Sequence, residues 1–320
     1  MRTIGWIAGL ALALVALFYL SLCFGATAQS TPAEVWAGLT TREGVVGMFR
    51  LPRALSAMLV GSLFAVSGAL LQSLTRNPLV SPDLIGVTSG GGLAAVLAIL
   101  VLGAQAGPTL PLIVFLGAVT LAGLVWWLGR GASQQRFVLT GVALGAFSQA
   151  VITLLLVTYA PSAAEAMIWL KGSLYGRTWL HVGYLAPWCL TVLIASLLVA
   201  YQVNPLLLGE EVALSLGVRL TLLRRLLWLL SVAAAAAAVS VAGTIGFVGL
   251  VVPHMARLLV GADLRRHLPV AMLLGALLVL LADTVGRVVA PPLEIPAGLF
   301  CAVLGAPYFG YLLWKGKTAL

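Results

Sequence analysis

Gly316-Lys317-Thr318 matches the close of a phosphate-binding loop, in which backbone amides and a lysine hold nucleotide phosphates. The motif needs a glycine five residues before its Gly-Lys pair; Tyr311 stands there, with Gly310 one place early, so the spacing rejects it. The run GVTSGGG from Gly86 to Gly92 has the composition of a dinucleotide loop. No strand is predicted before it and the next segment is strongly apolar, so its small residues are read as helix packing. His181, His254 and His267 lie far apart, and none has a second ligand three or four residues away, so no single segment forms a metal site. Nothing marks a Ser or Cys beside a His and a carboxylate, the set that nucleophilic catalysis needs. Cys23, Cys189 and Cys301 each sit inside an apolar run and read as core packing. Asp283 and Arg287, at i and i+4 on one helical face, are read as an ion pair. Acidic groups are otherwise missing from the apolar runs, which argues against coupling to a proton or sodium gradient.

The elements that would position these residues are membrane helices. Of 320 residues, 62% are hydrophobic and 8% charged, against roughly a quarter charged in soluble proteins. A crossing takes about 20 apolar residues. The polar breaks then give an all-α polytopic protein of about ten transmembrane helices, over 4–24, 54–74, 86–103, 110–129, 138–158, 180–200, 225–243, 247–261, 268–288 and 296–314, in one transmembrane domain, 1–320. The apolar stretch 4–26 is too long for a cleavable signal core and reads as a retained first helix. A net charge of +9 raises the possibility of nucleic acid, but the 18 Lys and Arg are scattered over the loops. With an even number of spans and both ends cytoplasmic, twelve of those 18 fall inside, which orients the chain. Arg42, Arg50, Arg53, Lys171, Arg177 and Arg287 remain outside and call for a reason.

Three connections stand out. In LLQSLTRNPLVSPDLIGVTSGGG, Leu70 to Gly92, Arg76-Asn77-Pro78 ends one helix and forms a candidate hinge, and Ser81-Pro82-Asp83 caps the start of the next. The connection 201–224 holds a short amphipathic helix, with Glu210 and Glu211 in its first turn and Gly217 as its stop. Its carboxylates disfavour anionic lipid and favour a protein partner. On the outer side, 159–179 starts a helix at Pro161-Ser162; Trp169, Tyr175 and Trp179 suit either a pore-mouth helix or an interfacial belt. A shift of 175 residues lays Ser67 to Pro78 on Ala242 to Pro253, from which an inverted repeat is expected.

RLPRALSAMLVGSLFAVSGALLQSLTRNPLVSPDLIGVTSGG (Arg50 to Gly91), LTGVAL (Leu139 to Leu144), GSLYGRTW (Gly172 to Trp179), LGEEVALSLGV (Leu208 to Val218), GFVGLVVPHMARLLVGADLRRHLPV (Gly246 to Val270) and PPLEIPAGLFCAVLGAPYFGYLL (Pro291 to Leu313) resemble the FecCD family. These are permease subunits of ABC importers for ferric siderophores, haem and cobalamin. The resemblance implies a multi-pass protein of the bacterial inner membrane that is not itself an enzyme. Its implied partners are a second permease, identical or related, two cytoplasmic ATPases that bind ATP and Mg, a periplasmic binding protein and membrane lipid, with no nucleic acid. It assigns Glu210, Glu211, Leu214 and Gly217 to ATPase coupling, and Arg50, Arg53 and Arg287 to docking on glutamates of the binding protein. It places the path wall on 141–158 and an outer gate near Ser162 and Trp169, with no cofactor or metal in this chain. SPDLIG at Ser81 to Gly86 looks most like the ferric-siderophore branch. Haem and cobalamin remain alternatives, as do an ion-coupled secondary transporter and an integral-membrane lipid enzyme.

Overall fold

The computed structural model describes residues 2–26, 29–101, 103, 109–129 and 134–314. Arg130, Lys315, Gly316, Lys317 and Thr318 lie outside that set. Among the described residues there is no β-strand, only an isolated bridge between Phe24 and Gln29. The helices are α1 (Arg2–Cys23), α2 (Pro32–Thr41), α3 (Leu51–Thr75), α4 (Val87–Leu100), α5 (Leu110–Gly129), α6 (Gln134–Thr158), α7 (Ala163–Leu170), α8 (Trp179–Leu207), α9 (Glu210–Ser215), α10 (Leu220–Ala242), α11 (Val248–Val260), α12 (Leu264–Val288) and α13 (Ala297–Trp314).

Each of the ten expected apolar segments contains a helix among the described residues. Among the described residues, seven helical spans are long and apolar enough to cross a membrane, and three shorter apolar helices, within α4, α11 and α13, accompany them. The break between α10 and α11, faint in the sequence, is made by two left-handed residues, Gly243 (φ 73°) and Phe247 (φ 66°). The sequence reading missed α2, which Thr31 and Glu34 start with a reciprocal capping box and Pro32 with its fixed φ.

Burial sorts the helices. In the most apolar window of the Val46–Thr75 span, 83% is buried, against 17% in Arg136–Thr158. The first is therefore the centre of the bundle, and α6 carries an apolar surface that the described residues leave uncovered. α3 packs on α8, α10, α11 and α12. It approaches them through small residues: a methyl at Gly61 would strike the carbonyl of Gly275 on α12, and one at Gly68 the carbonyl of Gly249 on α11. Where α3 crosses α10, the Ser67 hydroxyl donates to the Ser231 carbonyl at 2.8 Å and that of Ser231 to the Ser67 carbonyl at 2.9 Å. Such mutual bonds satisfy hydroxyls that lipid leaves bare.

The 175-residue shift fails as a register, because it lays helical residues 68–72 on the non-helical turn 243–247. A long buried helix, a break and a short helix do recur, as α3–α4 and α10–α11. The first break is longer than the second, so no single shift aligns both helices.

Candidate functional site

Three places gather the polar residues of this chain. At the end of the bundle where α1 finishes, the last carbonyls of α1 lack helical partners and its last turn carries no basic residue. Arginines from other elements reach them. Arg50, in the π-helical turn Val46–Arg50 that leads into α3, donates from Nη1 to the carbonyls of Leu22 and Cys23, both at 2.9 Å, and to Ser30 Oγ at 3.0 Å. Arg287 on α12 donates to the carbonyls of Ser21 at 3.3 Å and Phe24 at 3.4 Å. Positive charge there also suits the negative end of the α1 dipole.

Beside this cap lies an ion network. Arg53 grips both carboxylate oxygens of Asp283 from Nε, each at 3.0 Å, adds Nη2 to Oδ1 at 2.8 Å, and reaches Glu294 Oε2 with Nη1 at 2.7 Å. Arg287 Nε lies 3.3 Å from the second oxygen of Asp283, which confirms the ion pair read from the i,i+4 spacing. Asp283 and Arg287 are 1% and 2% exposed in their side chains, and Arg53 11%. The three arginines that the resemblance assigns to docking are thus turned inward and partnered within the chain. The sequence shows their position at a helix end but not the acids that tertiary folding brings to them. Arg177, between α7 and α8, is held down to about 10 by burial and by the nearby Arg53 charge.

At the same end, α7 is tied to two neighbours. The Thr244 hydroxyl donates to the Leu170 carbonyl, and the Gly298 amide of α13 to the Gly172 carbonyl at 3.0 Å. Trp169 is buried against the α10–α11 turn, where Gly243 leaves room for its carbonyl, which is not the place of an interfacial belt residue. Ser162 ends a short 3-10 turn, and its side chain lies outside the described residues. Tyr175 is exposed, while Trp179 donates from Nε1 to the Gly47 carbonyl at 3.0 Å under the Arg42 guanidinium.

The opposite end holds α9. It stops as its sequence predicts: Gly217 takes a left-handed turn (φ 77°), its amide bonds to the Leu214 carbonyl at 2.9 Å and the Val218 amide to that of Ala213 at 3.0 Å. Ala213 faces inward, and Glu211, Leu208, Val212, Leu214 and Leu216 are exposed. Glu210 behaves differently from Glu211. Its Oε1 lies 2.5 Å from Arg76 Nη2 and 2.6 Å from Arg224 Nη2.

Arg76 caps α3 in a left-handed conformation (φ 50°), and Asn77 follows with Oδ1 accepting the Leu79 amide at 2.9 Å. The chain then enters a 3-10 turn, Pro82–Ile85, in which Ser81 makes no side-chain cap, contrary to expectation. This turn is wedged between helices: Pro82 lies against Gly249 of α11, and the Leu84 carbonyl fills the space at Gly141 of α6. Burial pushes the Asp83 carboxyl up to about 6, with the Thr88 hydroxyl opposing.

A tie that sequence reasoning missed joins α8 to the α11–α12 corner, where Asn204 donates to Asp263 Oδ1 at 2.8 Å and accepts the Leu264 amide at 3.1 Å. Burial works against the Asp263 charge, but the Asn204 amide, the Arg265 backbone N–H and the charges of Arg266 and Arg265 outweigh it and hold the carboxyl below its ordinary value. Among the described residues no group of three His, Cys, Asp or Glu could hold a metal ion.

Comparison with known proteins places this arrangement. The model of the FecCD transport family matches residues 13–315. An Fe(3+)-citrate import system permease protein of Bacillus subtilis (strain 168) is 41% identical over 309 residues, covering 95% of this chain and 93% of that protein. An achromobactin transport system permease protein of Dickeya dadantii (strain 3937) is 42% identical over 327 residues, covering 99% and 93%. A solved inward-facing structure of a metal-chelate type ABC transporter superposes with a TM-score of 0.83 at 34% identity, over 97% of this chain and 98% of that one. The chain belongs to the FecCD transport family.

Proposed function

We propose that this chain is the permease subunit of an ATP-driven importer in the bacterial inner membrane, and that it passes a ferric siderophore or similar iron chelate toward the cytoplasm. The ten apolar helices cross the membrane with both chain ends in the cytoplasm, a topology supported by the basic residues of the α9 end. A second permease, identical or related, covers the apolar surface of α6. A periplasmic binding protein delivers cargo, and two cytoplasmic ATPases bind ATP and Mg.

The observation that carries this function is the exposed apolar knob of α9. Leu208, Leu214 and Leu216 are 73%, 58% and 65% exposed beside charged residues, in a connection neither long nor apolar enough to cross a membrane. Such a patch fits a groove on a soluble partner. The cargo is supported by the relatives, whose names specify Fe(3+)-citrate and achromobactin transport. A secondary carrier is disfavoured, because Asp283 is held between two guanidiniums. The test is chelate uptake in vesicles carrying the permease with an intact or a hydrolysis-dead ATPase. Uptake is expected only with the intact one, and equal uptake with both would sink the proposal.

Of the docking arginines Arg50, Arg53 and Arg287, Arg53 then engages the binding protein by exchange of carboxylates. Glu294, at 22% the more exposed of the acids on Arg53, is the one that an incoming glutamate displaces. Glu294→Gln frees Arg53 Nη1 without disturbing Asp283. It is expected to tighten binding-protein affinity about 2- to 5-fold, the scale of a partly exposed pair. Weaker or unchanged affinity in a titration of the purified permease complex counts against exchange.

A further inference from the structure

We infer that Glu210 is a positioning residue, a clasp that passes the movement of α9 to the α3–α4 break, instead of a residue of the ATPase contact. The inference rests on the importer function proposed above and deepens it.

Two cations on separate elements share one Glu210 oxygen. Arg76 stands where α3 ends, and Arg224 in the second turn of α10. Glu211, the next residue, is exposed with the apolar knob. Helix α9 therefore has two sides, one offered outward and one, through Glu210, fastened to the bundle. What lies beyond Arg76 makes the fastening consequential. The chain runs five residues to the wedge whose Pro82 rests on α11 and whose Leu84 carbonyl rests on α6. A displacement of α9 is thus delivered through Arg76 to a turn that touches both helices. The backbone at Arg76 points the same way. A left-handed helix cap ordinarily takes glycine, and an arginine there keeps a less favourable conformation in exchange for its side chain.

The experiment uses the full transporter, with ATPase and binding protein, in lipid. Glu210→Gln and Arg76→Gly are each expected to keep the ATPase bound and hydrolysing, while cargo moved per ATP falls about three- to tenfold, the range for residues along a coupling route. Arg76→Gly separates this from a merely structural role, because glycine suits φ 50° and its thermal melting is expected to hold or rise as coupling falls. Glu211→Lys is expected to behave oppositely, weakening ATPase retention. Loss of the ATPase from Glu210→Gln, or an unchanged ratio of cargo to ATP, overturns the inference. Spin labels on Ser215 and Leu79 give a readout that needs no partner: their distance distribution is expected to broaden in Glu210→Gln, and an unchanged width overturns the clasp. If the wild-type permease takes up no chelate with its ATPase, the proposed function fails, while the labels still decide whether Glu210 holds α9.

Discussion

Asp283→Ala is expected to cost about 3–5 kcal/mol of stability, the loss that follows when one partner of a buried ion pair is removed. The figure reflects what remains behind. Arg53 and Arg287 would stay in place, 11% and 2% exposed, with only Glu294 to share between them. Burying an uncompensated charge costs several kcal/mol even after relaxation. Asp283→Asn keeps the shape and some of the hydrogen bonds, so its loss is expected to be smaller. Adding Arg287→Met to Asp283→Ala removes one orphan charge and is expected to recover part of the loss, but not all, because Arg287 also bonds the Ser21 and Phe24 carbonyls. The measurement is thermal melting of the purified protein in detergent, followed by size-exclusion. A melt for Asp283→Ala indistinguishable from wild type would show that the network contributes nothing.

Gly68→Ala is the second large effect, with an expected loss of about 2–3 kcal/mol from overpacking. A methyl at Gly68 would lie almost on the carbonyl oxygen of Gly249. Both partners are main chain, so no side-chain rotamer can give way and α3 has to move off α11 as a whole. Gly9 on α1 and Gly183 on α8 are the contrast, since nothing lies within 4 Å of a Cβ at either. Alanine there is expected to be neutral or to add about 0.5–1 kcal/mol, because it restricts the unfolded chain and favours helix. A Gly68→Ala protein that melts with the Gly9→Ala and Gly183→Ala controls would refute the close approach.

The parts legible in the sequence are those decided locally. Apolar length alone marked the ten helical segments, Gly217 marked the end of α9, and Pro161-Ser162 preceded α7. The direction of polar side chains was not legible, because it depends on partners far along the chain. Arg53 and Asp283 are separated by 230 positions, and nothing near Arg53 announces the acid. Glu210 and Glu211 look alike in sequence, and only the placement of Arg76 and Arg224 divides their roles. Helix α2 was overlooked because it is short and too mixed in polarity to read as a span, although its capping box was visible as Thr31 and Glu34.

The capping of α1 also sets an order of events during synthesis. Domains and helices form as the chain emerges, N-terminal parts first. Arg50 follows the Leu22 carbonyl by 28 residues and is available early, whereas Arg287 follows Ser21 by 266 and arrives only once α12 has been made. The end of α1 is therefore closed in two stages, and the second stage comes when α12 packs beside it. A nascent chain halted before α12 would carry α1 with only half its cap, recognisable as unfinished at the end of the bundle where Arg50 sits.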